Sequence, residues 1–122
     1  MKLNYNIKGT GLSVNDEIRA YVEKRLAHIE KFVRTDSTAH VDVEIEHQTS
    51  EDRKRYRTEL TLSSWGGVFR AEALGDTLHE SIDLAEGEMT REVSRAKKRT
   101  VYLARHGAMR AKEVIRGFRK RF

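Results

Sequence analysis

The apolar residues of this chain change their spacing several times along its length, and the order of those changes leaves few folds open. Leu3, Tyr5 and Ile7 alternate with Lys2, Asn4, Asn6 and Lys8, the two-residue period of a strand with one buried face. Gly9 and Gly11 end that run. Ser13 or Asn15 can then cap a helix whose first turn holds Asp16 and Glu17, where the helix dipole favours negative charge. Ile18, Val22, Leu26, Ile29 and Phe32/Val33 follow at helical spacing, which predicts a helix over 15–33. Val41, Val43 and Ile45 return to alternation, as do Tyr56, Thr58, Leu60 and Leu62. SSWGG (63–67) reads as a hairpin turn, with Trp65 packed over it, and VFRAEA (68–73) as the fourth strand. After Gly75 and Asp76, one long face of Leu78, Ile82, Ala85, Met89, Val93, Ala96, Thr100 and Leu103 predicts a second helix.

The order is therefore β-α-β-β-β-α. A helix between the first two strands makes them a parallel pair through a right-handed crossover. Short connections make the second, third and fourth strands antiparallel neighbours. The expected fold class is α+β, a two-layer sandwich: a four-stranded mixed sheet in order 1-2-3-4 with both helices packed on one face. The outer sheet face is left to water, and HQTSEDRKR (47–55) is expected as a polar, mobile loop. Residues 1–103 form the predicted domain. Residues 104–122 keep helical spacing of Ala and aromatic residues between Arg and Lys, and read as a basic amphipathic tail that Gly107 sets off from the helix before it.

Charge is the second constraint. The 122 residues carry a net +5, but residues 1–92 hold 13 Lys or Arg against 18 Asp or Glu. Residues 93–122 hold 11 Lys or Arg against Glu113 alone. The second helix changes sign along its length. DTLHESIDLAEGEM (76–89) has five acidic and no Lys or Arg residues, whereas REVSRAKKR (91–99) has five basic ones. The dipole accounts for part of this, since acids suit a helix start and bases its end, but the effect fades within a turn. Helical phase places Lys24, Arg25, His28 and Lys31 on one edge of the first helix, and Arg91, Arg95, Lys98 and Arg99 on one flank of the second. Two basic edges exceed what helix ends can use. Phosphate contacts explain both, because each one releases counterions and the gains accumulate. A polyanion partner follows, with RNA favoured over DNA because no helix-turn-helix or zinc pattern is present.

Those same stretches resemble a known family. EIRAYVEKRLAHIEKF (17–32), WGGVFRAEALGD (65–76) and SIDLAEGEMTREVSRAKKR (81–99), in this order, are similar to the ribosome hibernation promoting factors, which include the ribosome-associated inhibitor A type. The resemblance covers residues 1–103. It implies a cytoplasmic protein of a bacterium, less readily of a plastid, that responds to stress. It also implies a factor that binds small-subunit rRNA in the decoding-region channel for mRNA and tRNA, and blocks translation by occupancy. Carried onto matching positions, the RNA-binding residues are Lys24, Arg25, His28, Lys31, Arg91, Arg95, Lys97, Lys98 and Arg99. Glu88 departs from a position that is often basic in the family, and His28 from a frequent lysine. The chain lacks room for the separate dimerisation domain of the long form, so ribosome pairing through it is not expected; a monomer is.

Other function classes find less support. No cysteine is present, which excludes disulfides and thiol chemistry and fits a reducing compartment. No apolar run reaches the length of a membrane span. His40 and His47 fall on opposite strand faces, and no histidine pair has metal-ligand spacing, so neither catalysis, a metal, a cofactor nor a small-molecule substrate is expected. Other readings stay open: a modulator of transcription or a general RNA-binding protein, and a basic tail that lies on anionic lipid or in a partner's groove.

Overall fold

The structure, a computed structural model, describes residues 3–33, 36–49, 54–64 and 67–106. Its elements are β1 (Asn4–Thr10), α1 (Asp16–Val33), β2 (His40–Thr49), β3 (Lys54–Ser64), β4 (Gly67–Gly75) and α2 (Leu78–His106). The sheet runs in the expected order β1-β2-β3-β4, with β1 parallel to β2 and the remaining pairs antiparallel. Strand alternation builds its inner face directly. Ile7, Val43, Leu60 and Ala71 lie side by side across all four strands. Val41, Val43, Ile45, Leu60 and Leu62 are buried there with Val22, Leu26 and Ile29 of α1 and Ile82, Ala85 and Met89 of α2. The α+β sandwich is thus the observed fold.

Two boundaries differ from expectation and a third settles between two expected caps, each for a local reason. β1 continues through Gly9 and Thr10, because both pair with β2, and stops at Gly11, whose φ of 73° turns the chain. The polar stretch 47–55 is mostly strand: β2 reaches Thr49 and β3 begins at Lys54, leaving residues 50–53 outside the described residues. Pairing overrides polarity there, since His47 lies opposite Tyr56 with the two rings stacked at 4.6 Å. Asn15, not Ser13, caps α1, its Oδ1 accepting from the Ile18 N–H at 2.8 Å. Thr77 caps α2 in the same way, its Oγ1 accepting from Glu80 N–H at 3.1 Å. Trp65, the side chains of Thr100 and Leu103, and residues 107–122 with Gly107 lie outside the described residues; the α2 backbone runs unbroken past 103/104 to His106.

Gly75 joins β4 to α2 where the two backbones nearly touch. A Cβ there would sit 2.6 Å from the Ser81 backbone nitrogen. Close by, Ser81 Oγ and Thr58 Oγ1 share a buried hydrogen bond of 2.8 Å that ties α2 to β3. Gly75→Ala is expected to cost about 2 kcal/mol, as overpacking does, measured as a lower urea midpoint with an unchanged slope.

Among the described residues, the outer sheet face carries no helix, and it is fastened by charge. Lys8, Glu44, Glu59 and Glu72 lie opposite one another across the strands, which sets three carboxylates in direct register. Like charges so placed destabilise a sheet. Arg57 offsets them: its guanidinium approaches Glu44 at 2.5 Å, Glu46 at 3.0 Å, Glu59 at 3.4 Å and Glu72 at 3.7 Å. Desolvation alone would lower the Arg57 pKa, but the Glu46 hydrogen bond and the charges of Glu72, Glu44 and Glu46 raise it instead.

Candidate nucleic-acid interface

The buried stripe Val22, Leu26, Ile29 and Val33 fixes how α1 is rotated on the sheet. One step around the helix from that stripe come Tyr21, Arg25 and His28, which face α2. On α2, Asp83 and Glu86 have the same three-residue spacing as Arg25 and His28, so each pair stands on successive turns. They meet in sequence order. Arg25 Nε lies 2.8 Å from Asp83 Oδ1, and His28 Nδ1 contacts Glu86 Oε1. Because the contacts advance in the same direction along both helices, α1 and α2 run parallel, with their C-terminal ends at one end of the molecule.

Each member of this seam has a physical reason to be there. Glu86 is only 5 % exposed, and a buried carboxylate without partners is costly; His28 supplies the main contact, and Thr90 Oγ1 donates a long one at 3.5 Å. The Tyr21 hydroxyl donates to Asp83 Oδ1 at 2.5 Å, and its ring meets His79 edge-on at 4.2 Å. The Asp83 hydrogen bond, then burial, raise the Tyr21 pKa above its ordinary 10.0. Tyr21 therefore contributes its stability fully below the unfolded value and loses it as pH climbs through the raised one. Further along, Lys97 Nζ sits 6.0 Å from the Phe32 ring centroid, within cation–π range. Asp83 thus serves the neighbouring helix, beyond the dipole role its place near the start of α2 suggests.

The remaining cations point to water. Lys24 and Lys31 on α1 are exposed, as are Arg91, Arg95, Lys97, Lys98 and Arg99 on α2. Among the described residues, Lys24, Lys31, Arg91, Arg95 and Lys98 form no ion pair with a carboxylate. At roughly 100° per residue, Lys24, Lys31, Arg91 and Lys98 fall on the surface of the helical layer that faces away from the sheet. Arg95 and Arg99 lie on the α2 flank turned away from α1. The predicted site therefore divides into three groups: Arg25 and His28 engaged in the seam, Lys97 laid over Phe32, and the others displayed on the outer surface and far flank. Periodicity within one helix could not reveal the seam acids. The signal available was the matched spacing of opposite charges, 25/28 against 83/86.

Among the described residues, no three His, Asp or Glu side chains gather as metal ligands, and no helix is long and apolar enough to cross a membrane.

Comparison with known proteins adds the family. The sequence pattern of the sigma 54 modulation protein / S30EA ribosomal protein family matches residues 5–101. A ribosome hibernation promotion factor of Lactococcus lactis subsp. cremoris is 30% identical over 99 residues, covering 80% of this chain and 51% of the relative. One from Mycobacterium tuberculosis is 31% identical over 94 residues, covering 75% of this chain and 42% of the relative. The chain thus spans about half the length of these relatives. Among solved structures, the Thermus thermophilus Protein Y N-terminal domain superposes with a TM-score of 0.67 at 27% identity, covering 78% of this chain and 98% of that one. A ribosomal subunit interface protein from Coxiella burnetii, at 18% identity and a TM-score of 0.62, covers the same shares and shares the fold. With the matched region running from β1 into the C-terminal half of α2, the chain belongs to the sigma 54 modulation protein / S30EA ribosomal protein family.

Proposed function

We propose that this protein is a ribosome hibernation factor that binds small-subunit rRNA in the decoding-region channel and blocks translation by occupying it. The observation that carries the reading is the outer surface of the helical layer, where Lys24, Lys31, Arg91 and Lys98 stand exposed without carboxylate partners among the described residues. Relatives that align over most of this chain are named ribosome hibernation promotion factors, which supplies the ribosome as the source of the phosphates. Arg95, Lys97 and Arg99 extend the contact along α2, and Arg25 and His28 join it at the seam. Residues 1–103 are the binding domain and residues 104–122 a basic continuation. The protein acts as a monomer in the cytoplasm by steric and electrostatic occupancy, with no bond made or broken and no cofactor.

Co-sedimentation with purified small subunits on sucrose gradients, followed by a translation assay, tests this. If four or five of these cations each neutralise a phosphate, affinity falls about 100-fold between roughly 50 and 200 mM salt. Absence from the small-subunit peak at the lower salt would remove the reading.

A further inference from the structure

Arg25 is held in an unusual way. Its Nε atom is sealed from solvent and lies 2.8 Å from Asp83 Oδ1, yet it has no aligned hydrogen bond there. The contact is an ion pair with the N–H turned off the oxygen. The other end of the guanidinium is different. Neither Nη1 nor Nη2 is sealed from solvent without a partner, and neither figures in a side-chain hydrogen bond among the described residues. Asp83 is itself anchored, because the Tyr21 hydroxyl donates to the same Oδ1 at 2.5 Å. The arginine is held at its inner edge by charge, with its side chain about a quarter exposed, and no hydrogen bond among the described residues engages its two outer prongs. An arginine fork matches a phosphate with two parallel charge-assisted hydrogen bonds, but only if the plane of the guanidinium is fixed.

We infer that Asp83 is a positioning residue for phosphate recognition: with Tyr21 behind it, it orients the Arg25 fork to receive one RNA phosphate at the seam between the helices. This rests on the rRNA-binding reading above and adds a role for an acidic residue. Asp83 and Arg25 cancel in charge at long range, so the pair contributes little to attraction at a distance. Its value is geometric. That makes the prediction opposite in sign to simple electrostatics, under which removing a carboxylate beside bound RNA strengthens binding.

The test is a double-mutant cycle on the full chain, with affinity for purified small subunits measured at fixed salt. Asp83→Asn is expected to weaken binding about tenfold, the scale of one charge-assisted bidentate contact. Arg25→Lys, which keeps the charge and loses the fork, should weaken it by a similar factor. In an Arg25→Ala background, Asp83→Asn should weaken nothing and strengthen binding slightly, since only relief of like charge remains. Tyr21→Phe, a smaller change that leaves both charges in place, should weaken binding in the same direction as Asp83→Asn by a few-fold; its thermal unfolding is recorded in parallel. Tighter binding by Asp83→Asn in the otherwise native chain overturns the inference, as does an equal loss with and without Arg25, which would mark a structural effect. If the native chain itself fails to bind small subunits, the rRNA-binding reading falls and takes this one with it; if it binds and only the sign reversal is missing, the inference alone fails.

Discussion

Arg95→Glu combined with Lys98→Glu is expected to weaken small-subunit binding about 100-fold at moderate salt, because two phosphate contacts become two repulsions. Folding should survive. Both side chains are exposed, whereas Ile82, Ala85, Met89 and Val93 of α2 are the ones buried in the core. The two positions also sample different surfaces, Lys98 on the outer surface of the helical layer and Arg95 on the flank away from α1. Thermal unfolding within a few degrees of the parent, together with loss from the small-subunit peak, is the expected pair of results. Full co-migration by a folded double variant would move the RNA contact off the C-terminal half of α2.

The second large effect concerns stability. Met89 is fully buried on α2, two residues before the basic stretch and three after the seam carboxylate Glu86. Met89→Ala removes packing that nearby side chains cannot fully replace, at a cost of about 3 kcal/mol. For a domain of this size that lowers Tm by roughly 10 °C, read by calorimetry. Below the new Tm, small-subunit binding should stay close to the parent value, since no displayed cation has been changed. A loss of binding well below the unfolding transition would mean that the pose of α2 on the sheet, and not folding alone, depends on this one side chain.

Much of the architecture was legible because it depends on alternation, which is local. Val41, Val43 and Ile45 against Leu60 and Leu62 read as half-buried strands and are half-buried strands. The crossover rule supplied the parallel β1–β2 pair from order alone. Polar strand ends were less legible: Gln48 and Arg55 look like loop until the opposite strand is present to pair with them. The candidate site was legible as composition and illegible as geometry. Helical phase puts Lys24 and Arg25 on the same edge, yet one is displayed and the other is clamped by Asp83. The difference comes from how α2 is seated beside α1, which no single helix encodes. Glu86 shows the same limit, since its burial follows from facing His28 across the seam.

The two faces of the sheet are fastened by different forces, and solvent conditions should act on them separately. The helix-covered side depends on apolar contact, which added electrolyte leaves largely intact. The open side depends on Arg57 gathering Glu44, Glu46, Glu59 and Glu72, an attraction that ions in the medium dilute. A cell whose interior concentrates its salts would therefore loosen the exposed lattice of charges first, while the layer that carries the helices keeps its shape.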